Sequence, residues 1–134
     1  IMTQLCWDMD QFRYWLEAIR NAGVWLPVDV GIMPVLDMGA TINMALSRNG
    51  CVMPRKLAEI ISKHWIFPNP FAPNESEESI AAKKASFKEA GIEYTIKLID
   101  EYRVCGINGI HLYALNKYDD VARIVKESGI VDLI

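Results

Sequence analysis

The sequence predicts an α/β fold organised around a parallel sheet, and three observations carry that reading. Short, β-rich apolar runs alternate with segments of helical spacing. The runs are continuous rather than alternating, the pattern of strands whose faces are covered by helices. Glycine and proline punctuate the junctions, at Gly23, Pro34, Asn49-Gly50, Gly106, Gly109 and Gly129.

Residues 1–6 read as a buried first strand ending before Asp8. A helix over 8–22 follows, with Phe12, Trp15, Leu16 and Ile19 on one stripe, Asp8 or Asp10 as N-cap and Gly23 as the stop. A second strand spans about 26–32 and stops at Pro34. Residues 38–46 form a helix that ends near Asn49-Gly50. Pro54 suits the first turn of another, running to about Trp65 with Leu57, Ile60 and Ile61 inward. Prolines 68, 70 and 73 cannot continue a helix, so 67–74 is an extended loop. Ser76 or Ser79 restarts a long helix to about Arg103, with Ile80, Phe87, Ile92, Ile96 and Ile99 among its buried side. A third strand covers about 110–115, and a last helix runs from about Asp119 to Glu127.

This order suits either a doubly wound sheet or a (β/α) barrel. Three strands cannot close a barrel, which needs eight and about 250 residues. Their edges would be exposed and adhesive. Either an N-terminal half absent from this sequence or association with a partner chain is expected to cover them. The opening Ile1-Met2-Thr3-Gln4 lacks an initiating methionine and the charged start of a signal peptide, so a natural N-terminal portion is expected to precede it.

At 134 residues, 51% of them apolar and 23% charged, the chain has the profile of one soluble globular unit. Its net charge of −3 is spread along the chain, with no basic block for nucleic acid or an anionic membrane. No apolar run is long enough to span a bilayer. Cys6, Cys51 and Cys105 are far apart and odd in number, which suggests reduced thiols and a cytoplasmic protein. Without a secretory context, the sequon Asn74-Glu75-Ser76 reads as incidental.

Functional groups of parallel α/β folds gather at the C-terminal strand ends. Alternation sets His111, Tyr113 and Leu115 on one face of the third strand, with Ile110, Leu112 and Ala114 toward the helices. Gln4 shares a face with Met2 and Cys6, and Asp29 with Gly31. Gln4, Asp29, His111 and Tyr113 therefore make a polar inward set larger than a structural barrel core needs. Each also has a plain structural role: Gln4 capping a strand end, Asp29 pairing with a buried Arg or Lys, His111 and Tyr113 tied off within the core. Asn116 and Lys117 follow the third strand, where Lys117 either attracts an anionic ligand or is a solvated helix start. His64 reads as structural. No metal site, phosphate loop or nucleophile with its base is legible.

Three motifs then point to a family. Thr3-Gln4, followed by an aromatic residue and Asp8, resembles the TQ-x-x-x-D segment of methylenetetrahydrofolate reductases. Gly31-Ile32-Met33-Pro34 is similar to their PGIxP segment, and His111-Leu112-Tyr113-Ala114-Leu115-Asn116 to their HFYTLN segment. Order and spacing agree over about residues 1–128.

The resemblance implies a (β/α)8 TIM barrel of which this chain is the C-terminal portion, strands six to eight with their helices. It implies a flavoprotein oxidoreductase of one-carbon metabolism and methionine biosynthesis. FAD would be bound mainly by the absent half, with NADH or NADPH as electron donor and a folate substrate. An oligomer is expected. By the resemblance Gln4 contacts the folate pterin, and Lys117 stands where many members carry an arginine that approaches substrate. Met44 stands where some carry a ring-packing phenylalanine, Ala40 where many carry a folate-contacting glutamine, and Val30 in place of the proline of PGI. Lysine loses the bidentate fork of arginine, while methionine can still cover a planar ring. The acidic residue that serves catalysis in the family lies on earlier strands, so no catalytic residue is assigned in this chain. A non-catalytic folate-binding or assembly module is the alternative, as is another pterin-binding barrel such as a methyltransferase.

Overall fold

A computed structural model describes residues 1–67, 70 and 74–133. The elements follow in the order β1 (Met2–Leu5), α1 (Met9–Asn21), β2 (Asp29–Ile32), α2 (Met38–Leu46), α3 (Arg55–Lys63), α4 (Glu77–Val104), β3 (Gly109–Leu112) and α5 (Tyr118–Ser128), with a 3-10 turn over Ile130–Leu133. The strands form one parallel sheet in the order β1-β2-β3. The mixed α/β arrangement is compatible with part of a barrel. Among the described residues no helix is long and apolar enough to cross a membrane.

Caps explain most boundaries. Asp8 accepts the Gln11 N–H to start α1, Asp37 accepts the Ala40 N–H to start α2, and Ser76 accepts the Ser79 N–H to start α4. Gly129 ends α5 in the left-handed conformation that an L side chain resists. Pro54 stands one residue before its helix, as the N-cap of α3 rather than within the first turn. That helix stops at Lys63, with His64 half-buried at its C-cap and Trp65 beyond it.

The core lies on one face of the sheet. Leu5, Val28, Val30 and Ile32 pack there with Phe12 of α1, Leu57 of α3, Ile124 of α5 and the inner stripe of α4, Phe87, Ile92, Leu98, Ile99 and Tyr102. The glycine at 91 lets α4 lie against the chain just after β2. A Cβ at 91 would sit 1.8 Å from the Val35 carbonyl oxygen, and Thr95 one turn on accepts the Val35 N–H at 3.1 Å.

Four expectations need correction. β1 is not a buried strand, because Met2 and Gln4 are exposed and only Leu5 is buried. β2 starts at Asp29 rather than 26. The Arg20 guanidinium instead takes the Val24 and Leu26 carbonyls, and the Trp25 ring lies against it at 5.5 Å. β3 ends at Leu112; Tyr113 adds one further bond to the Ile32 carbonyl before Asn116 turns left-handed with φ 54°. Helices cover one face of the sheet and not both. The proline-rich loop expected over 67–74 lies, apart from Phe67, Pro70 and Asn74, outside the described residues.

Candidate functional site

The C-terminal end of β1 is held from three directions. Tyr102 donates its hydroxyl to the Cys6 carbonyl at 3.0 Å, and Tyr94 donates to the Trp7 carbonyl at 3.3 Å. The Trp7 indole N–H donates to the Met33 carbonyl after β2 at 3.0 Å. Burial pushes both phenols well above the usual tyrosine range, so these hydroxyls stay protonated donors. Cys51 packs at the same place. Burial, helped by Cys6 nearby, pushes its thiol up to about 11.

Beside this clamp, the sheet face turned away from the helices is open. Gly31 pairs with His111, and Asp29 with both Met2 and Gly109, so these residues share that face. Met2, Gln4 and His111 are exposed, Asp29 is half-buried, and the Asp29 carboxylate lies against the backbone of Gly109. The expected buried ion pair at Asp29 is not formed: among the described residues no Lys or Arg pairs with it. Nor is His111 tied off in the core; its exposed ring meets the edge of Tyr113 with centroids 4.5 Å apart.

Gln4 sits in an irregular stretch. Three steps along β1 from Met2 to Leu5 match two along β2 from Asp29 to Gly31, the extra residue of a β-bulge. The Thr3 hydroxyl accepts the Gly31 N–H at 3.0 Å and donates to the Gln4 carbonyl at 2.8 Å. The Gln4 side-chain oxygen accepts the Leu5 N–H at 3.0 Å. The strand-capping role read for Gln4 is therefore present, yet it uses one lone pair and leaves the amide NH2 to donate elsewhere. A cleft of about 290 Å³ runs beside Gln4 and Met2 to Phe12 and Trp15 of α1 and to Asn49.

The other candidates stand apart. Met44 is half-buried on α2, and its sulfur receives the Asn49 side-chain N–H at 2.7 Å. Asn49 thus links Met44 to the cleft of Gln4. Ala40 is exposed on α2. Asn116 and Lys117 are exposed before α5; Lys117 is its N-cap residue, and its side chain makes no cap bond. Leu115 is 91% exposed and lies beyond β3, not on its face. Among the described residues no three His, Cys, Asp or Glu side chains gather as metal ligands. The open face offers a flat, polar-rimmed platform with donors and acceptors in place, suited to holding a planar heterocycle. Among the described residues it carries no lysine, arginine or glycine-rich helix start fit for a dinucleotide's phosphates.

Sequence reasoning passed over Thr3 as a side-chain partner of β2 and Tyr102 and Tyr94 as clamps. Spacing gives no sign of these, since each partner lies 28 or more residues away.

The family model described as methylenetetrahydrofolate reductase matches residues 1–129. The chain belongs to the methylenetetrahydrofolate reductase family. It is 25% identical over 132 residues to methylenetetrahydrofolate reductase 1 of Schizosaccharomyces pombe, and 26% identical to methylenetetrahydrofolate reductase (NADH) 1 of Arabidopsis thaliana. A probable methylenetetrahydrofolate reductase (NADH) of Oryza sativa subsp. japonica is 25% identical. Each alignment covers 98% of this chain and 19% of the relative, so the chain spans about a fifth of their length. Gln4, Gly31, His111 and Tyr113, from the segments on which the resemblance rests, lie on or beside one open sheet face.

Proposed function

We propose that this chain is the folate-facing portion of a flavin-dependent methylenetetrahydrofolate reductase, supplying strands six to eight of its barrel. What supports the reading is the open polar face: Asp29 and His111 share it, Tyr113 lies across it and Gln4 stands beside it, in a chain of this family. Gln4 orients the pterin, its NH2 donating and its oxygen accepting through the lone pair that Leu5 leaves free. Lys117 attracts an anionic part of the ligand from the start of α5, and Asn116 frames the same end of β3. Parts of the barrel outside this chain hold the flavin, usually FAD in the family, since the open face here does not fit its phosphates. When bound, the flavin supplies the hydride relay between NADH or NADPH and the folate, while the protein orients the reactants. The NADH in the names of two relatives favours that donor. The intact protein is expected to be cytoplasmic and oligomeric.

The test is methyltetrahydrofolate-dependent dye reduction by the intact natural protein, with its absorption spectrum recorded alongside. Bleaching of a bound flavin followed by dye reduction is the expected result. In the same assay Gln4→Ala weakens folate turnover and leaves flavin content near normal; the reverse pattern removes Gln4 from the folate site. A second reading, a folate-binding or assembly module without redox function, gains from one observation. The Met44 sulfur is engaged by Asn49, and the neighbouring position 40 carries only a methyl group, so α2 presents less to a ring than a phenylalanine and glutamine would. A colourless protein that binds folate without turnover favours that module.

A further inference from the structure

We infer that Tyr113, lying over Gly31, is a positioning residue for Gln4. The inference rests on the reading above, in which Gln4 meets the pterin. Tyr113 stands one residue beyond β3, fixed by its N–H on the Ile32 carbonyl at 2.8 Å. From there its ring crosses β2. It can do so only because residue 31 is glycine: a Cβ there would lie 2.5 Å from the Tyr113 ring carbon Cε2 and 2.9 Å from the Thr3 carbonyl oxygen. The hydroxyl then reaches β1 and donates to that Thr3 carbonyl at 3.4 Å. One side chain thus spans all three strands of the sheet.

The bond lands at the bulge, where the register of β1 on β2 shifts between Met2 and Leu5. In a regular parallel pair the Gly31 N–H would bond to a β1 carbonyl. Here the Thr3 hydroxyl also accepts that N–H, and the Thr3 carbonyl accepts the Tyr113 hydroxyl. The same Thr3 hydroxyl passes its own proton to the Gln4 carbonyl, and the Gln4 amide closes on the Leu5 N–H. Bulges re-aim side chains beside active sites, and this one is held in shape by Tyr113 from one side and Thr3 from the other. The strap lies on the open face and not in the core. Its hydroxyl is dispensable for packing, because phenylalanine would keep the ring over Gly31 and its edge contact with His111.

The experiment is a double-mutant cycle in the intact protein, read as kcat and KM for methyltetrahydrofolate in dye reduction, with thermal unfolding in parallel. Tyr113→Phe is expected to lower kcat/KM about ten-fold, the scale of one lost hydrogen bond, while Tm moves by no more than about 2 °C. Gln4→Ala costs more, and adding Tyr113→Phe to it costs nothing further, because the strap acts through Gln4. Thr3→Val reproduces the Tyr113→Phe loss and Thr3→Ser restores the kinetics, a rescue that a general stability defect would not show. Losses that multiply independently, or unchanged folate kinetics in Tyr113→Phe, overturn the inference while folate turnover by the unaltered protein leaves the reductase reading standing. Absence of that turnover, or its indifference to Gln4→Ala, overturns the site reading and this inference with it.

Discussion

The two faces of the sheet differ in how completely this chain finishes them. On the helix side Val28, Val30 and Ile32 are fully buried, and α4 approaches so closely that residue 91 has no room for a methyl group. On the other side Met2, Gln4 and His111 are exposed, and a single tyrosine lies across the strands. Close packing makes the first face intolerant of volume change, as protein interiors generally are. The second is built from hydrogen bonds and small residues, Gly31 and Gly109, that leave a surface flat. Stability is concentrated on one face, and the proposed recognition would use the other, so substitutions on the two should separate in what they damage.

The largest expected effect is at the tightest contact. Gly91→Ala places its Cβ 1.8 Å from the Val35 carbonyl oxygen, a backbone atom that can yield only if α4 or the loop after β2 moves. A loss of about 3 kcal/mol or more in denaturant unfolding of the intact protein is expected. Next comes a pair placed opposite one another. Ile32 has no solvent exposure, and Ile32→Ala should cost about 3 kcal/mol through lost burial and the cavity left behind. His111, exposed on the open face, should change stability by no more than about 0.5 kcal/mol when replaced by Ala. Similar losses at both positions would break the contrast, because something outside this chain would then seal the open face as tightly as the helices seal the other.

Much of the helix side was legible in the sequence because it follows local rules. The bounds of α2 match the expected 38–46, and Asp8, Ser76 and Gly129 mark boundaries by capping chemistry that acts within one turn. The buried stripe of Phe87, Ile92 and Ile99 on α4 obeys helical spacing. The start of β2 was not legible, since it depends on Arg20 capturing the Val24 and Leu26 carbonyls in a geometry that spacing does not encode. The candidate site divides the same way. Alternation placed Asp29, His111 and Tyr113 toward one face, but the bulge at Thr3 and Gln4 depends on a hydroxyl meeting an amide 28 residues away. Asp29 and His111 departed from their structural readings for a common reason. Both presupposed a covered face, and this chain covers only the other.

The smallest effect is confined to alkaline solution and tests how dry the finished side is around its thiol. Cys51 is buried in the core cluster, whereas Cys6 and Cys105 are half-buried. Desolvation is the main cause that raises the Cys51 thiol from its ordinary 9.0 to about 11, with Cys6 adding to it and the Trp7 backbone opposing. A group whose folded pKa is raised holds its proton more tightly in the folded state. Its contribution to stability is therefore fully present below pH 9 and disappears as pH climbs through about 11, because only the unfolded chain gains from ionising in between. Alkylation followed by mass spectrometry should find Cys51 the slowest of the three cysteines at pH 8.5, since the thiolate is the nucleophile. Its rate should rise steeply only as pH nears 11. A Cys51 that reacts at pH 8.5 as fast as Cys6 would mean that water reaches the end of β1 from the helix side, and the contrast between the two faces would stop short of that end.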